Sequence, residues 1–443
     1  MDYLSLDARQ ILSAYAAGVN AYIDGHKGPW PIDVALTAGT PEHWREADSL
    51  AVLKGMAMQL SGNMYNELAR VRLLGRLGRK GVQDFFRPFG DAPLPTYLDE
   101  LFHTTKLGDA RGVPDISASN NWVVDGAHSE TGKPLLANDP HLGFEIPAVW
   151  YLAHLSYGGN DLAGGTLAGV PSVVIGHNNH VAWGMTNTEP DTQDLYLEQI
   201  NPDDPSEYRT PDGWQKFETH VETIKVRFGG EKRITMRATR HGPVIPDDSA
   251  FGIRDLVPSG YVLSLAWTSL YDDDTTFDTL LGIGKAGSVA GVATATRKFV
   301  SPMQNLISAD DTGHIALILP GRVPLRGPGN DSGGLVPARG WEQRYDWQGM
   351  IPFGDWASIE DPPSGRIVTA NNKTVPEGYA FELTKEWDNS YRHDRIDALL
   401  AAQPKESVEG FAAIQRDPVD LYFLELKPLL LAAAPFEGAG TKA

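Results

Sequence analysis

The hydrophobic pattern of this chain changes character near residue 118, and that change constrains the fold most. Ahead of it, Ile11, Leu12, Tyr15, Ala16, Val19, Tyr22 and Ile23 recur at helical spacing behind a cap at Ser5 or Asp7, which predicts an amphipathic helix over 6–24. A second helix is predicted over 48–60. Glu67 sits near the start of a third, "NELARVRLLGRLG", where Leu68, Val71, Leu74 and Leu77 share a face. From about Pro88 to Ile116 the text mixes proline, glycine and charge around one short helical piece, as a linker does. After Ser119 the segments "NWVVDG", "KPLLAND", "VWYLAHLS", "PSVVIGH", "HVAWGMT" and "DLYLEQI" are short, rich in β-branched and aromatic residues, and separated by Gly, Asn and Pro. They predict a large sheet system. Helical patterns return at 274–284, 289–299 and 391–402, so helices and strands are partly segregated and the class is α+β.

Composition narrows what such a fold can do. With 443 residues, 42% hydrophobic and 21% charged, the chain can bury a large core as one big domain or two to three ordinary ones. A net charge of −19 repels phosphate backbones and anionic lipid, which argues against nucleic acid and membrane as partners. The absence of cysteine excludes disulfides, zinc–thiolate sites and thiol nucleophiles. No apolar run reaches a membrane span, and the opening "MDYLSLDARQ" has neither the basic nor the apolar region of an export signal.

Several strings resemble motifs and fail on chemistry. "NDSGG" at 330–334 has no histidine segment ahead of it to serve as a serine's base. His177 and His180 lie in an Asn-rich turn with no third metal ligand in register. The acids of "YDDDTTFD" suit a helix N-terminus, and "GGNDLAGGTLAGVP" lacks the lysine and the strand-to-helix setting of a phosphate loop.

"ASNNWVV", residues 118–124, is different. A Ser-Asn-Asn cluster suits the turn before a strand, but it is followed in order by "LLANDPHLGFEIPAVWY", "PSVVIGHNNHVAWGMTNTEPDTQDLY", "RHGPVI", "MQNLISADDTGHIAL", "YDWQGMIPF" and "IVTANNK". With these segments the chain resembles the penicillin acylase family of N-terminal-nucleophile hydrolases, from about Leu6 to about Pro418. The resemblance implies an αββα sandwich of two stacked antiparallel sheets between helical layers. It also implies a precursor that cuts itself before Ser119 into two chains that stay together as a heterodimer. Residues 1–92 would then form the helical part of the first chain, 93–118 a spacer, and 119–443 the second chain.

The chemistry of such a family explains its residue types. A serine hydroxyl needs a base, and an N-terminal α-amine with a pKa of about 7.7–8.0 suits neutral pH. That amine exists only after cleavage, and the same hydroxyl can attack the Ala118 carbonyl beforehand to bring cleavage about. By the resemblance, the oxyanion of the intermediate faces the backbone N–H of Asn187 and the side-chain amide of Asn371, with Asn372 the adjacent alternative. His141 would orient the serine and the amine by hydrogen bonds. Arg392 would support the site electrostatically. Ile146, Trp150, Val174, Met185 and Trp267 are apolar positions near these elements and suit a hydrophobic acyl group. Substrates of that kind are β-lactam side-chain amides, N-acyl homoserine lactones and acylated peptides. The resemblance further implies a structural calcium ion at Asp191, Gln193, Asp194 and Glu67, a set of hard oxygen ligands that suits calcium and not zinc. It implies no organic cofactor and a periplasmic or secreted setting. The family's usual leader and its long C-terminal part have no counterpart in these 443 residues. A truncated, inactive chain that binds ligands in a calcium-dependent way is therefore the alternative.

Overall fold

A computed structural model describes residues 1–37, 39–86, 93–102, 118–143, 145–227, 229–247 and 251–433. The helices of the first hundred residues follow from local signals. The Ser5 hydroxyl accepts from the Ala8 N–H and starts α1 (Leu6–Gly25), which buries Ala8, Leu12 and Ala16 at four-residue spacing. After α2 (Ile32–Thr37) comes α3 (Glu46–Gln59), where the Asp48 carboxylate accepts from the Arg45 N–H to close the first turn. In α4 (Asn63–Phe85) Leu68, Val71 and Leu74 are buried as the spacing predicts, but Leu77 is exposed. Gly78, at φ +62°, breaks the helical path immediately after Leu77, so the apolar stripe ends one turn early. The short helix α5 (Tyr97–Leu101) is built into the core: Leu94, Tyr97, Leu98 and Phe102 are buried, and the Tyr97 hydroxyl donates to the Pro337 carbonyl. The rest of the spacer ahead of Ala118 lies outside the described residues.

Beyond Ala118 the chain forms β1 (Ala118–Val124), β2 (Leu135–His141), β3 (Trp150–Tyr157), β4 (Asn160–Leu167), β5 (Ile175–His177), β6 (Val181–Asn187) and β7 (Gln193–Gln199). Next come two hairpins, β8 (Glu207–Thr210) with β9 (Gly213–Lys216) and β10 (Glu218–Val226) with β11 (Gly230–Thr239), followed by β12 (Gly242–Pro243) and β13 (Tyr261–Trp267). Helices α6 (Thr276–Gly284) and α7 (Val289–Ala295) precede β14 (Gln304–Asp310), β15 (Ile315–Ile318), β16 (Pro324–Arg326), β17 (Ala338–Arg339), β18 (Trp347–Met350), β19 (Ser358–Glu360) and β20 (Arg366–Thr369). Then α8 (Tyr391–Ala401), α9 (Val408–Gln415) and α10 (Leu421–Ala432) follow.

Two sheets carry the site. One has the order β2-β1-β20; the other is seven-stranded, β19-β15-β14-β6-β5-β4-β3. They stack face to face, with Val123, Ile367, Ile307, Ala309, Ile315 and Leu317 filling the space between them. On the far side of the large sheet, Trp183, Met185 and Leu306 meet Leu280, Ile283 and Val292 of α6 and α7. On the far side of the small sheet, Trp122, Val124 and Val368 meet Ile396, Leu400 and Phe411 of α8 and α9. This is the αββα order, an α+β fold. A third sheet, β13-β7-β17, packs Leu195, Leu197, Leu263 and Leu265 against Met64, Leu68 and Val71 of α4, which fastens the N-terminal helices to the rest. No helix among the described residues is long and apolar enough to cross a membrane.

Candidate active site

β1 delivers Ser119 to one end of the space between the sheets. Alternation along the strand turns Ser119, Asn121 and Val123 toward the large sheet, and Asn120, Trp122 and Val124 toward α8. Ser119 is buried at the wall of an apolar pocket lined also by Leu53 from α3, Leu60 just after it, Trp150 from β3, Val174, Met185 from β6 and Leu280 from α6. Its N–H donates to Asn371 Oδ1 at 2.8 Å, and Asn371 Nδ2 donates to the Asn187 carbonyl at 2.8 Å. One side chain therefore spans β1 and the end of β6. Asn371 follows β20 at φ +64°, a left-handed conformation that asparagine tolerates better than most residues. Its neighbour Asn372 turns back to accept from the Ala370 N–H, so Asn371 is the one that reaches the serine.

Arg392, near the start of α8, ties this arrangement together. One guanidinium nitrogen donates to the Ser119 carbonyl at 2.8 Å and to Asn120 Oδ1 at 2.9 Å; another donates to Asn371 Oδ1 at 3.0 Å and to Asp388 at 2.9 Å. Asn187 is fixed from its other side, Nδ2 donating to the Leu60 carbonyl at 2.8 Å. Arg392 presents donors to this end of β1, whereas Asn371 offers it an acceptor, Oδ1, and points its donor, Nδ2, at the end of β6.

The sequence reasoning missed Asn138 on β2. Its amide nitrogen donates to the Asn120 and Met185 carbonyls, and its oxygen accepts from the Met185 N–H at 3.1 Å, so one side chain behaves as a peptide unit joining β1 to β6. Asn138 stands in the string "ANDPH", where nothing local tells a bridging amide from a turn asparagine. Asp388 and Gln304, which donates to Asn187 Oδ1 at 3.4 Å, were also missed; a lone acid and a lone amide carry no local signal.

Three expected site residues fall elsewhere. His141 pairs across the ladder with Ala118, and Pro140 with Ser119. Its ring therefore lies on the opposite face from the Ser119 side chain, is largely exposed, and contacts Asp139 at 3.1 Å, two residues back on the same face. Ile146 is fully exposed beyond β2. Trp267 is buried in β13, in the third sheet, and packs in the core with Leu195 and Leu265 away from the pocket. Trp150, Val174 and Met185 do line it.

The four residues expected to hold calcium are brought together behind Asn187. Glu67, Asp191, Gln193 and Asp194 are all buried. Several of their oxygens are already engaged. Arg326 on β16 donates to both carboxylate oxygens of Asp194, at 2.7 and 3.0 Å, lies 2.9 Å from Asp191 Oδ1, and donates to the Asp191 carbonyl at 3.2 Å. Trp347, the register partner of Arg326, adds a donor to Asp194 at 2.6 Å. Gln193 Oε1 turns away and accepts from the Met64 N–H at 3.3 Å. Glu67 Oε1 accepts from the Leu195 N–H at 3.0 Å; only Glu67 Oε2 and Asp191 Oδ1 are buried without a hydrogen bond. Burial, then the Asp194 and Asp191 charges, push the Glu67 carboxyl well above the usual range, which favours its neutral form. Calcium takes six to eight oxygens. Among the described residues, His and carboxylate ligand atoms gather in threes within 4.8 Å at exposed His314, Glu360 and Asp361, and not here. Arg326 takes the place of a cation among these acids, and two buried carboxylate oxygens keep no hydrogen-bond partner.

Comparison with known proteins agrees with the fold. The penicillin amidase family matches residues 2–442. Acyl-homoserine lactone acylase QuiP of Pseudomonas aeruginosa is 32% identical over 95% of this chain and 52% of its own length. Penicillin acylase 2 proenzyme of Pseudomonas sp. SE83 is 34% identical over 94% of this chain and 54% of its own. The thermostable penicillin G acylase of Alcaligenes faecalis superimposes with a TM-score of 0.61 at 26% identity, over 72% of this chain and 56% of that one. The chain thus spans about half the length of the curated relatives it matches. Fold, the order of motifs and the match over nearly all its residues make this chain a member of the penicillin amidase family.

Proposed function

We propose that the protein hydrolyses a linear acyl amide through Ser119, exposed as an N-terminal residue by cleavage of its own chain. The observation that carries this reading is the Asn371 side chain, which holds the Ser119 nitrogen through Oδ1 and turns its Nδ2 to the end of β6. In the uncut chain the Ser119 hydroxyl attacks the Ala118 carbonyl; the peptide nitrogen leaves as the amine, the acyl group passes to oxygen, and water opens the ester. The freed amine then takes the hydroxyl proton as Ser119 attacks the substrate carbonyl. Asn371 Nδ2 and the Asn187 N–H stabilise the oxyanion, the amine proton passes to the leaving nitrogen, and water releases the acyl group. The two chains remain together as a heterodimer.

The pocket beside Ser119 offers almost only hydrocarbon, so the acyl group is hydrophobic and the amine side is the exposed, tolerant one. Relatives are named for acyl-homoserine lactones and for penicillins. Mass spectrometry of purified protein is expected to give two chains, one beginning at Ser119, and Ser119→Ala to remain whole and inactive. Turnover of a panel of N-acyl substrates is expected to favour aromatic and aliphatic groups. An uncut chain inert toward sulfonyl fluorides would favour a ligand-binding role instead, and best turnover of a charged glutaryl amide would refute the hydrophobic pocket.

A further inference from the structure

We infer that Arg326 is the resident cation of the acid cluster behind Asn187, and that it positions the oxyanion end of β6 without a metal ion. The link to the oxyanion rests on the hydrolase reading above; the charge replacement stands on geometry alone. Asp191 is four residues beyond Asn187, in the segment that leads from β6 into β7. Arg326 grips that segment by its backbone carbonyl and its carboxylate and grips Asp194 by both oxygens, which are the atoms a divalent cation in this loop would need. The grip is itself supported. β16 and β18 form a two-stranded sheet in which Arg326 and Trp347 are paired, so one hairpin delivers both the guanidinium and an indole N–H to Asp194. The Gly334 backbone closes the site from another side: a Cβ there would lie 2.0 Å from Asp191 Oδ2 and 2.9 Å from the guanidinium. Opposite, α4 contributes Glu67 and the Asn63 side chain, which accepts from the Thr192 N–H at 3.1 Å. A guanidinium suits this place because it is planar, always charged and able to fork across two carboxylates, and it is covalently present in every folded molecule.

The melting temperature of the mature wild-type protein tests this directly. It is expected to be the same, within about 1 °C, in a chelator and in about 5 mM calcium, a concentration above the weakest class of calcium site. Arg326→Gln is expected to lose roughly 5–10 °C in chelator, as a broken buried ion pair does, and to regain at least half of it when calcium is added. Such an acquired metal dependence would not follow from general loosening of the fold. Arg326→Lys keeps the charge and is expected to stay indifferent to calcium. A wild-type melting temperature that rises with calcium, or an Arg326→Gln protein equally unstable with and without it, would overturn the assignment. If Arg326→Gln does not fold, the wild-type and Arg326→Lys measurements decide. None of these readouts requires turnover, so failure of the hydrolase reading would show separately, as an inert Ser119.

Discussion

At the scale of single residues, two side chains near the site sit in backbone conformations that cost energy, and each makes a separate prediction. Asn371, at φ +64°, contributes both a hydrogen-bonded amide and an unusual backbone. Replacing it by Gly keeps the conformation at no steric cost, whereas Ala adds strain of about 1 kcal/mol or more. If the amide is an oxyanion donor, both variants lower kcat by about 10²–10³-fold; both also lower the melting temperature by losing the buried hydrogen bonds, Ala more than Gly by the added strain. Equal stability losses with unchanged kcat would assign Asn371 to scaffolding. Glu189, at φ +54° two residues past Asn187, is partly buried and pushed up to about 7, first by burial and then by Asp388, against Arg392. Its folded pKa is above its unfolded value near 4.5. Below about pH 4.5 both states hold the proton and nothing is lost; from there to about pH 7 only the unfolded state releases it, so stability falls as pH rises, by about 3 kcal/mol in full. Glu189→Gln is therefore expected to raise the melting temperature at pH 8 and to leave it unchanged at pH 4. Thermal melts across that range check the slope.

At the scale of elements, the sequence made local pattern legible and non-local pairing illegible. The helix at 6–25 and the strands at 118–124 and 181–187 announce themselves by periodicity and composition, because each buries one face or two along a single segment. β4 does not: Asn160–Leu167 is half glycine and small residues, since β4 and β5 approach so closely that a Cβ on Gly164 would lie 2.1 Å from the Ile175 carbonyl. Which face His141 takes depends on its register with Ala118, and which sheet Trp267 joins depends on pairing with Gln193 across more than seventy residues; neither is written locally. The positions of Ser119, Asn187, Asn371 and Arg392 were legible only because their motifs come in a familiar order. The stacking of the two sheets carries its own prediction. Gly184 in β6 lies under Asn121 and Asn138, and a Cβ there would fall 2.7–2.9 Å from their side chains. Gly184→Ala is expected to destabilise by about 1–3 kcal/mol through overpacking and, by displacing the Asn138 bridge, to reduce kcat more than KM. A variant with wild-type kcat and melting temperature would show that the sheets can slide apart without consequence for the site.

At the scale of the whole molecule, cutting the chain before Ser119 would leave its two pieces joined by buried contacts and by no covalent bond, since the sequence has no cysteine. Those contacts are extensive. α4 places Met64, Leu68, Val71 and Leu74 in the same core as Leu195, Leu197, Leu263 and Trp267, and α5 adds Tyr97 and Leu98. Polar groups cross the same boundary under cover: Asn63 to the Thr192 N–H, Glu67 to the Leu195 N–H, Asn187 to the Leu60 carbonyl, and Arg70 to Glu386 and the Leu335 carbonyl. Nearer the surface, Lys54 pairs with Asp274 and Lys285 with Asp7. Salt screens exposed pairs strongly and buried ones little, so raising ionic strength removes only the last two links. The cleaved protein is therefore expected to run as one species in size exclusion at 1 M salt and to separate into two chains only in denaturant. Residues 119–443 expressed alone are expected to be insoluble or molten, because one side of that core is then open to water, and to regain turnover when refolded with residues 1–118 supplied as a second chain. If the two chains part in native buffer, or if 119–443 alone hydrolyses an acyl amide at the full rate, the N-terminal helices do not support β6 and β7 in the way these contacts require.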